Sequence, residues 1–276
     1  MTSDWSKPVS SDREDPPPDI DVSVAHVARV YDYWLGGKTN FAADRIAARA
    51  AVRAAPHVVA GVRGNRAFLA RAVRYLTGEA GIRQFLDIGT GIPAADNTHD
   101  VAQAQAPECR VVYVDNDPIV LAHARALLTS GTKGVTAYLD EDLRNVADLV
   151  GAAAATLDFA QPVAVMLIGI LHCIPDEDDP AGIVDQLMYA VPPGSYLAIS
   201  HPANDINSPS VRRLASRLNE LMPVKLRFRS QAEVARFFDG RELVEPGLVR
   251  APEWRPDRDS DLANPAALWC GVARKN

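Results

Sequence analysis

The densest chemistry in the sequence lies at Phe85-Leu86-Asp87-Ile88-Gly89-Thr90-Gly91-Ile92-Pro93, where an apolar run carrying one carboxylate meets a Gly-x-Gly turn. Glycines at such a turn let backbone approach a ligand closely, and a helix starting there offers free N–H groups to a carboxylate or phosphate. A second carboxylate, Asp115, ends the apolar run 111–114, where it can accept both hydroxyls of a ribose. It stands 26 positions beyond Gly89, more than the ~20 of a dinucleotide fingerprint, and the excess is read as a longer first helix. Asp140-Glu141-Asp142-Leu143 follows a third run. Here Asp142 is a candidate acceptor for an adenine amine with Leu143 against the ring face, and equally a member of a solvated acidic loop. A fourth run leads into Gly169-Ile170-Leu171-His172, so His172 either stands beside a ligand or packs as a hydrogen-bonded core residue.

For these strand ends to converge, the runs must lie side by side in one sheet. Strands are expected at 84–88, 111–114, 135–139, 163–168 and 195–200, with helices at 93–106, 118–129, 146–155 and 181–191 between them. That alternation specifies an α/β fold with a mostly parallel sheet covered by helices on both faces. Asp117-Pro118, Asp179-Pro180 and Ser208-Pro209 each read as an N-cap followed by Pro at the first helical position, and Ser230 with Glu233 as a capping box. Asp117 is thereby given a structural role. Segments 242–249 and 266–273 read as an antiparallel pair at the sheet edge. Residues 22–81 have helical spacing and no strand pattern, with breaks at Gly36-Gly37, Pro56 and Gly78 to Gly81. Residues 1–21, rich in Pro and Ser, read as a disordered tail.

Composition narrows the function. The chain has 276 residues, 47% hydrophobic and 23% charged, with a formal net charge of −6, which gives no electrostatic reason to expect a phosphate backbone as partner. Lys225, Arg227 and Arg229 alternate with apolar residues as an exposed edge strand would, and Arg63, Arg66, Arg71 and Arg74 as a solvated helix face, although 63–66 lies near enough to contact a substrate. No apolar run reaches the ~18 residues of a membrane span, and no signal segment is evident. Cys109, Cys173 and Cys270 form no CxxC, so neither a metal site nor a disulfide framework is expected, and a reducing cytoplasm is the simplest location. His201-Pro202 at the end of the fifth strand faces the ligand side, for substrate contact or for loop structure.

Taken in order, LDIGTG, VDND, DEDL, ILHCIPDED and PPGSYLAIS resemble the class I S-adenosylmethionine-dependent methyltransferases, over roughly residues 81–200. The stretch 27–45, VARVYDYWLGGKTNFAADR, is similar to the signature of an actinobacterial methyltransferase family with largely unassigned substrates, extending the resemblance to nearly the whole chain beyond the tail. The resemblance implies a Rossmann-like methyltransferase domain over 82–276 with a helical cap or lid over 22–81. It implies that Asp87 and the Gly89-Thr90-Gly91 backbone hold the methionine part of S-adenosylmethionine, and that Asp115 binds the ribose. Asn116 would flank the adenine, Asp142 and Leu143 meet its amine and face, and Gly169 lie near the transferable methyl. Tyr31, Tyr33 and Trp34 become candidates for a cation-attracting lid, or for simple helix packing. Tyr31 and His172 are the candidate catalytic residues, with S-adenosylhomocysteine as product. The pattern departs from the family where a third glycine is usual, since Ile92-Pro93 follows Gly91.

The expected acceptor is a small molecule, with no nucleic acid and no membrane as partner and the oligomeric state left open. The fourth strand ends in Gly-Ile-Leu-His rather than the Asn/Asp-Pro-Pro-Tyr of base-amine methyltransferases. Two rivals remain at this level. Gly89-x-Gly91-x-x-Ala94 satisfies the permissive dinucleotide fingerprint of an NAD(P)-dependent oxidoreductase, against which stand Asp87 and the missing N–H of Pro93. A non-catalytic S-adenosylmethionine-binding regulatory domain is the other.

Overall fold

The computed structural model describes residues 21–127 and 134–276. The tail expected over 1–21 lies, apart from Asp21, outside the described residues, as do the last two residues of the helix expected over 118–129. Three helices open the described chain: α1 (Val27–Leu35), α2 (Ala42–Ala54) and α3 (Val58–Gly78). Gly36, at φ 84°, ends α1 by donating its N–H to the Asp32 and Tyr33 carbonyls. Pro56, which cannot extend a helix, follows the end of α2.

The sheet begins with β1 (Gln84–Ile88) and β2 (Arg110–Asp115), joined through α4 (Thr98–Gln105). Next come α5 (Pro118–Leu127), β3 (Val135–Asp140), α6 (Val146–Ala153), β4 (Ala164–Ile168), α7 (Pro180–Ala190) and β5 (Tyr196–Pro202). The chain continues through α8 (Ser208–Leu221), α9 (Gln231–Ala235), β6 (Glu242–Leu243), β7 (Val249–Arg250) and β8 (Leu268–Arg274). Strand order is β3-β2-β1-β4-β5-β8-β6, with β7 also pairing β8. The first five strands are parallel, and β8 runs antiparallel to β5, β6 and β7. The order reverses between β1 and β4, and a crevice at the carboxyl ends of the strands opens at such a switch point.

Both faces of the central strands β1, β4 and β5 are buried, which is why they read as continuous apolar runs rather than alternating ones. Leu86, Ile88, Val112, Val165 and Leu197 face a core completed by α6 and α7; Phe85, Val111, Tyr113, Met166 and Ala198 face the opposite core, covered by Phe68, Leu69, Ala72 and Leu76 of α3 and by Trp254. A third core lies off the sheet. It joins Val30 of α1 and Ala47, Ala48 and Ala51 of α2 to Val211, Leu214 and Leu218 of α8 and to Met222, Leu226 and Phe228.

Several expectations are corrected here. The longer first helix is absent: residues 92–97 are irregular, and α4 starts only after Asn97, which forms a capping box with Asp100 and so outcompetes Pro93 as the start. Asn207 rather than Ser208 is the N-cap of α8, in the left-handed region at φ 49°. The expected strand over 242–249 is two two-residue strands, and β8 lies inside the sheet with β6 beyond it. Residues 225–229 form no edge strand: the one strand-like contact is a bridge from Arg229 to Ala203. Arg229 is buried, donating to the Leu171 and Ile174 carbonyls (both 2.9 Å) and to Asp176 Oδ1 (2.7 Å). Arg71, expected on a solvated face, is also buried and donates to the Trp254 (2.8 Å) and Ala251 (2.6 Å) carbonyls. In both cases a guanidinium satisfies carbonyls that the surrounding loops leave unpaired.

Candidate functional site

At the carboxyl ends of β1 to β4 the sheet opens into a cavity of about 310 Å³, within the size range of ligand pockets. The residues singled out from the sequence at the ends of the first four strands line it: Asp87, Gly89, Thr90 and Gly91 at the end of β1, Asp115 and Asn116 at the end of β2, Asp142 and Leu143 after β3, Gly169 and His172 after β4. Tyr31 of α1 lines it from the opposite side.

The turn after β1 needs its glycines. Gly89 and Gly91 have φ of 74° and 65°, in the region that side chains disfavour, and a Cβ on Gly89 would fall 2.5 Å from the Ile170 side chain. The Gly91 N–H donates to Asp115 Oδ2 (2.8 Å), while Asp115 Oδ1 accepts from the Asp117 N–H (3.0 Å). Burial raises the Asp115 carboxyl above its ordinary range, and these two N–H bonds oppose the rise. Asp117 accepts from the Ile119 N–H (2.9 Å) as the cap of α5, and His26 Nδ1 lies 2.8 Å from its other oxygen, tying the start of α1 to this loop.

Asp87 is buried, and Thr98 Oγ1 donates to its Oδ2 (2.6 Å). Burial pushes its carboxyl up to about 6, offset in part by the Thr98 hydrogen bond and the positive field of Arg66. Among the described residues no ion pair reaches Asp87. Arg66 also braces the irregular segment, donating to the Ala95 (2.7 Å) and Asp96 (2.9 Å) carbonyls. On the β3 side, Asp142 accepts from Asn116 Nδ2 (3.1 Å), from the Arg144 N–H (2.8 Å) and from the Arg144 guanidinium, which also reaches Asp178 (2.6 Å). Leu143 is buried against the core below.

His172 sits in a 3-10 turn, Leu171–Cys173, with its Nδ1 buried and without a hydrogen-bond partner among the described residues. Burial and the nearby Arg229 guanidinium pull its pKa down to about 4, so the ring is neutral near pH 7. His201, read as facing the ligand side, is fully buried and absent from the cavity wall; its Nδ1 donates to the Pro202 carbonyl (2.9 Å) and its Nε2 accepts from Arg229 (3.0 Å). Of its two possible roles, loop structure is the one realised.

Tyr31 donates to the Val62 carbonyl (3.3 Å) and accepts from Asn65 Nδ2 (3.1 Å), while Asn65 Oδ1 accepts from Ser200 Oγ of β5 (2.5 Å). Burial pushes the Tyr31 phenol up, so it stays protonated. Gly169, at φ 71°, lies under Asn65, whose Nδ2 would be 3.1 Å from a Cβ there. Trp34 also lines the cavity, whereas Tyr33 does not: its hydroxyl accepts from Arg49 Nε (3.2 Å). Asn65 and Arg66 line the cavity and Arg63 does not, so the 63–66 segment is half wall and half surface. Unforeseen from the sequence is the wall formed by α8 and residues 222–228; the apolar spacing Val211, Leu214, Leu218 was the signal that α8 needed a partner.

The family model described as S-adenosyl methyltransferase matches residues 13–276. A DUF574 family protein from Streptomyces avermitilis is 45% identical, with a TM-score of 0.89 over 93% of this chain and 99% of its own. A protein from Thermobifida fusca, provisionally assigned as a methyltransferase, is 40% identical, with a TM-score of 0.89 over 95% of this chain and 99% of its own. At 16% identity and a TM-score of 0.51, over 90% of this chain and 64% of its own, TnmH shares the fold alone. A search of curated proteins returned no match. The chain belongs to the S-adenosyl methyltransferase family, a methyltransferase with S-adenosylmethionine as its cofactor.

Proposed function

We propose that this methyltransferase acts on a small-molecule acceptor held in the same cavity as its cofactor. The observation that carries this reading is the continuity of the cavity, which runs from the polar strand ends of β1 to β3 into an apolar chamber between α1, α8 and residues 222–228. S-adenosylmethionine supplies, when bound, a methyl group on a sulfonium that is open to in-line displacement. The residues fit it. A buried carboxylate without an ion-pair partner, Asp87, is suited to the ammonium of the methionine part, and Arg66 beside it to the carboxylate. Gly89, Thr90 and Gly91 give the close backbone approach. Asp115, pre-set by Gly91 and Asp117, would accept the ribose hydroxyls; Asn116, Asp142 and Leu143 would hold the adenine, and Gly169 would leave room at the transferring methyl.

Catalysis in this reading is alignment more than acid–base chemistry. Tyr31, kept protonated, orients the acceptor through its hydroxyl, and His172, kept neutral, is a weak base at most. Residues 22–81 act as the cap, with α1 over the site, and 82–276 as the methyltransferase domain. The NAD(P) reading loses its support in the geometry: the Gly91 N–H is already spent on Asp115, and no helix begins until Thr98. Among the described residues no helix is long and apolar enough to cross a membrane, and the three cysteines are unpaired, in keeping with a cytoplasmic enzyme.

Calorimetry with S-adenosylhomocysteine tests the cofactor half, with micromolar binding expected and no binding at millimolar ligand counting against it. Incubation with S-adenosylmethionine and separate pools of small molecules, oligonucleotides and peptides, read by mass spectrometry, tests the acceptor half. Transfer confined to oligonucleotide or peptide would overturn it.

A further inference from the structure

Charge is divided unequally around the cavity. Every Asp, Glu, Lys or Arg in its wall belongs to the carboxyl ends of β1 and β2 (Asp87, Asp115) or to the loop after β3 (Glu141, Asp142, Arg144), or is Arg66, which is bonded to the segment after β1. From Ile168 to the end of the chain the wall contains none: it is made by side chains such as Val211, Leu214, Leu218, Met222, Leu226 and Phe228, most of them part of the third core. The few polar groups there include Asn207, Ser210 and His172, with Tyr31 and Asn65 facing from the cap side and Asn65 directly over Gly169.

We propose that the acceptor is an uncharged, mainly apolar small molecule that presents a weakly acidic hydroxyl, phenolic or enolic, beside Gly169, Tyr31 and Asn65. This rests on the reading that cofactor and acceptor share the cavity. A carboxylate or phosphate on the acceptor would enter this chamber without a counter-charge, which costs far more than any contact there returns. An aliphatic amine is excluded on the same ground, because with a pKa near that of lysine, about 10.4, it arrives as a cation. An alkyl alcohol arrives neutral but needs a strong base, and the chamber supplies neither a carboxylate nor a lysine; a hydroxyl with a pKa near tyrosine's, about 10, needs far less help. In the transfer, the oxygen–methyl bond forms as the methyl–sulfur bond breaks. The bonding pair stays on sulfur, giving the neutral thioether S-adenosylhomocysteine, and the hydroxyl proton leaves to water.

The test uses the full chain and matched probes on naphthalene, biphenyl and phenanthrene frameworks, each as the phenol, the hydroxymethyl alcohol, the carboxylate and the aminomethyl cation. Calorimetry with S-adenosylhomocysteine alone first reports the cofactor site, so failure there strikes the proposed function and not this inference. With S-adenosylhomocysteine bound, the phenol and the alcohol of at least one framework should bind at least tenfold more tightly than its carboxylate and ammonium. With S-adenosylmethionine, only the phenol should yield a methyl ether. Equal or tighter binding of the charged probes overturns the proposal, as does methylation of the alcohol at the phenol's rate or the failure of every neutral probe to bind. Ser210→Lys, at a half-buried position in the wall, should raise carboxylate affinity at least tenfold in a variant whose S-adenosylhomocysteine affinity certifies the fold. No gain there would show that missing charge is not what excludes carboxylates, and the proposal falls.

Discussion

The two walls of the cavity are built on opposite principles. On the β1–β3 side, carboxylates are pinned by backbone and side-chain donors: Asp115 by the Gly91 and Asp117 N–H groups, Asp142 by Asn116 and Arg144, Asp87 by Thr98. On the α8 side the wall is buried apolar surface shared with the packing of α1 and α2. A wall of fixed hydrogen bonds recognises one ligand by atom positions. A wall of apolar side chains recognises by shape and area and tolerates related ligands. Under the proposed function, the invariant partner of the reaction would belong to the first wall and the variable one to the second.

The sharpest way to break this contrast is Asp87→Asn. Calorimetry should show S-adenosylhomocysteine affinity falling by roughly 30-fold to 1000-fold, as expected for losing one partner of a buried charged contact. The same variant should melt higher at pH 7.5. Folding raises the Asp87 pKa from 3.8 to about 6, so the stability the carboxyl contributes is present below the unfolded value and lost as pH rises through about 6. Removing the charge relieves a penalty on the order of 2–3 kcal/mol, discounted by the lost Thr98 contact. A variant that binds like the wild type would remove Asp87 from the cofactor wall.

Asp115→Ala should weaken S-adenosylhomocysteine roughly tenfold to 100-fold and lower the melting temperature, because Gly91 and Asp117 each lose an acceptor. Unchanged affinity would show that the β2 end does not touch the ligand. In the wild type, affinity should decline as pH falls below about 6, approaching tenfold per pH unit as the Asp87 carboxylate is protonated; a flat profile from pH 7 to pH 5 would contradict it. Tyr31→Phe should have the smallest effect, a change in S-adenosylhomocysteine affinity within about threefold and about 1 kcal/mol of stability from the broken Asn65 and Val62 contacts. A larger loss of affinity would move Tyr31 from the acceptor side to the cofactor side.

The pinned wall was legible in the sequence because its carboxylates lie at or just beyond the carboxyl ends of β1, β2 and β3, and these strands announce themselves as short apolar runs. Asp87, Asp115 and Asp142 are located as soon as β1, β2 and β3 are. The apolar wall was not legible, since Leu214 or Met222 carries the same signal whether it fills a core or faces a ligand. The local errors have the same origin in competition between signals. Pro93 offered one helix start and the Asn97–Asp100 box a stronger one. Arg71 and Arg229 sat in alternating patterns that imply solvent, yet distant carbonyls claimed them. Asn65 owes its position to Ser200, 135 residues away, and no local pattern records that pairing.

The third core also constrains how the chain is made. Val30, Ala47, Ala48 and Ala51 emerge from the ribosome early, yet the side chains that cover them, Val211 to Phe228, follow only after all five parallel strands. Until then α1 and α2 have only each other and α3 as native partners, and the closing of this core waits on a long sequence separation. The roof of the site is therefore among the last parts to be finished, and a nascent or truncated chain ending before α8 exposes sticky helices over a sheet that is already complete as far as β5.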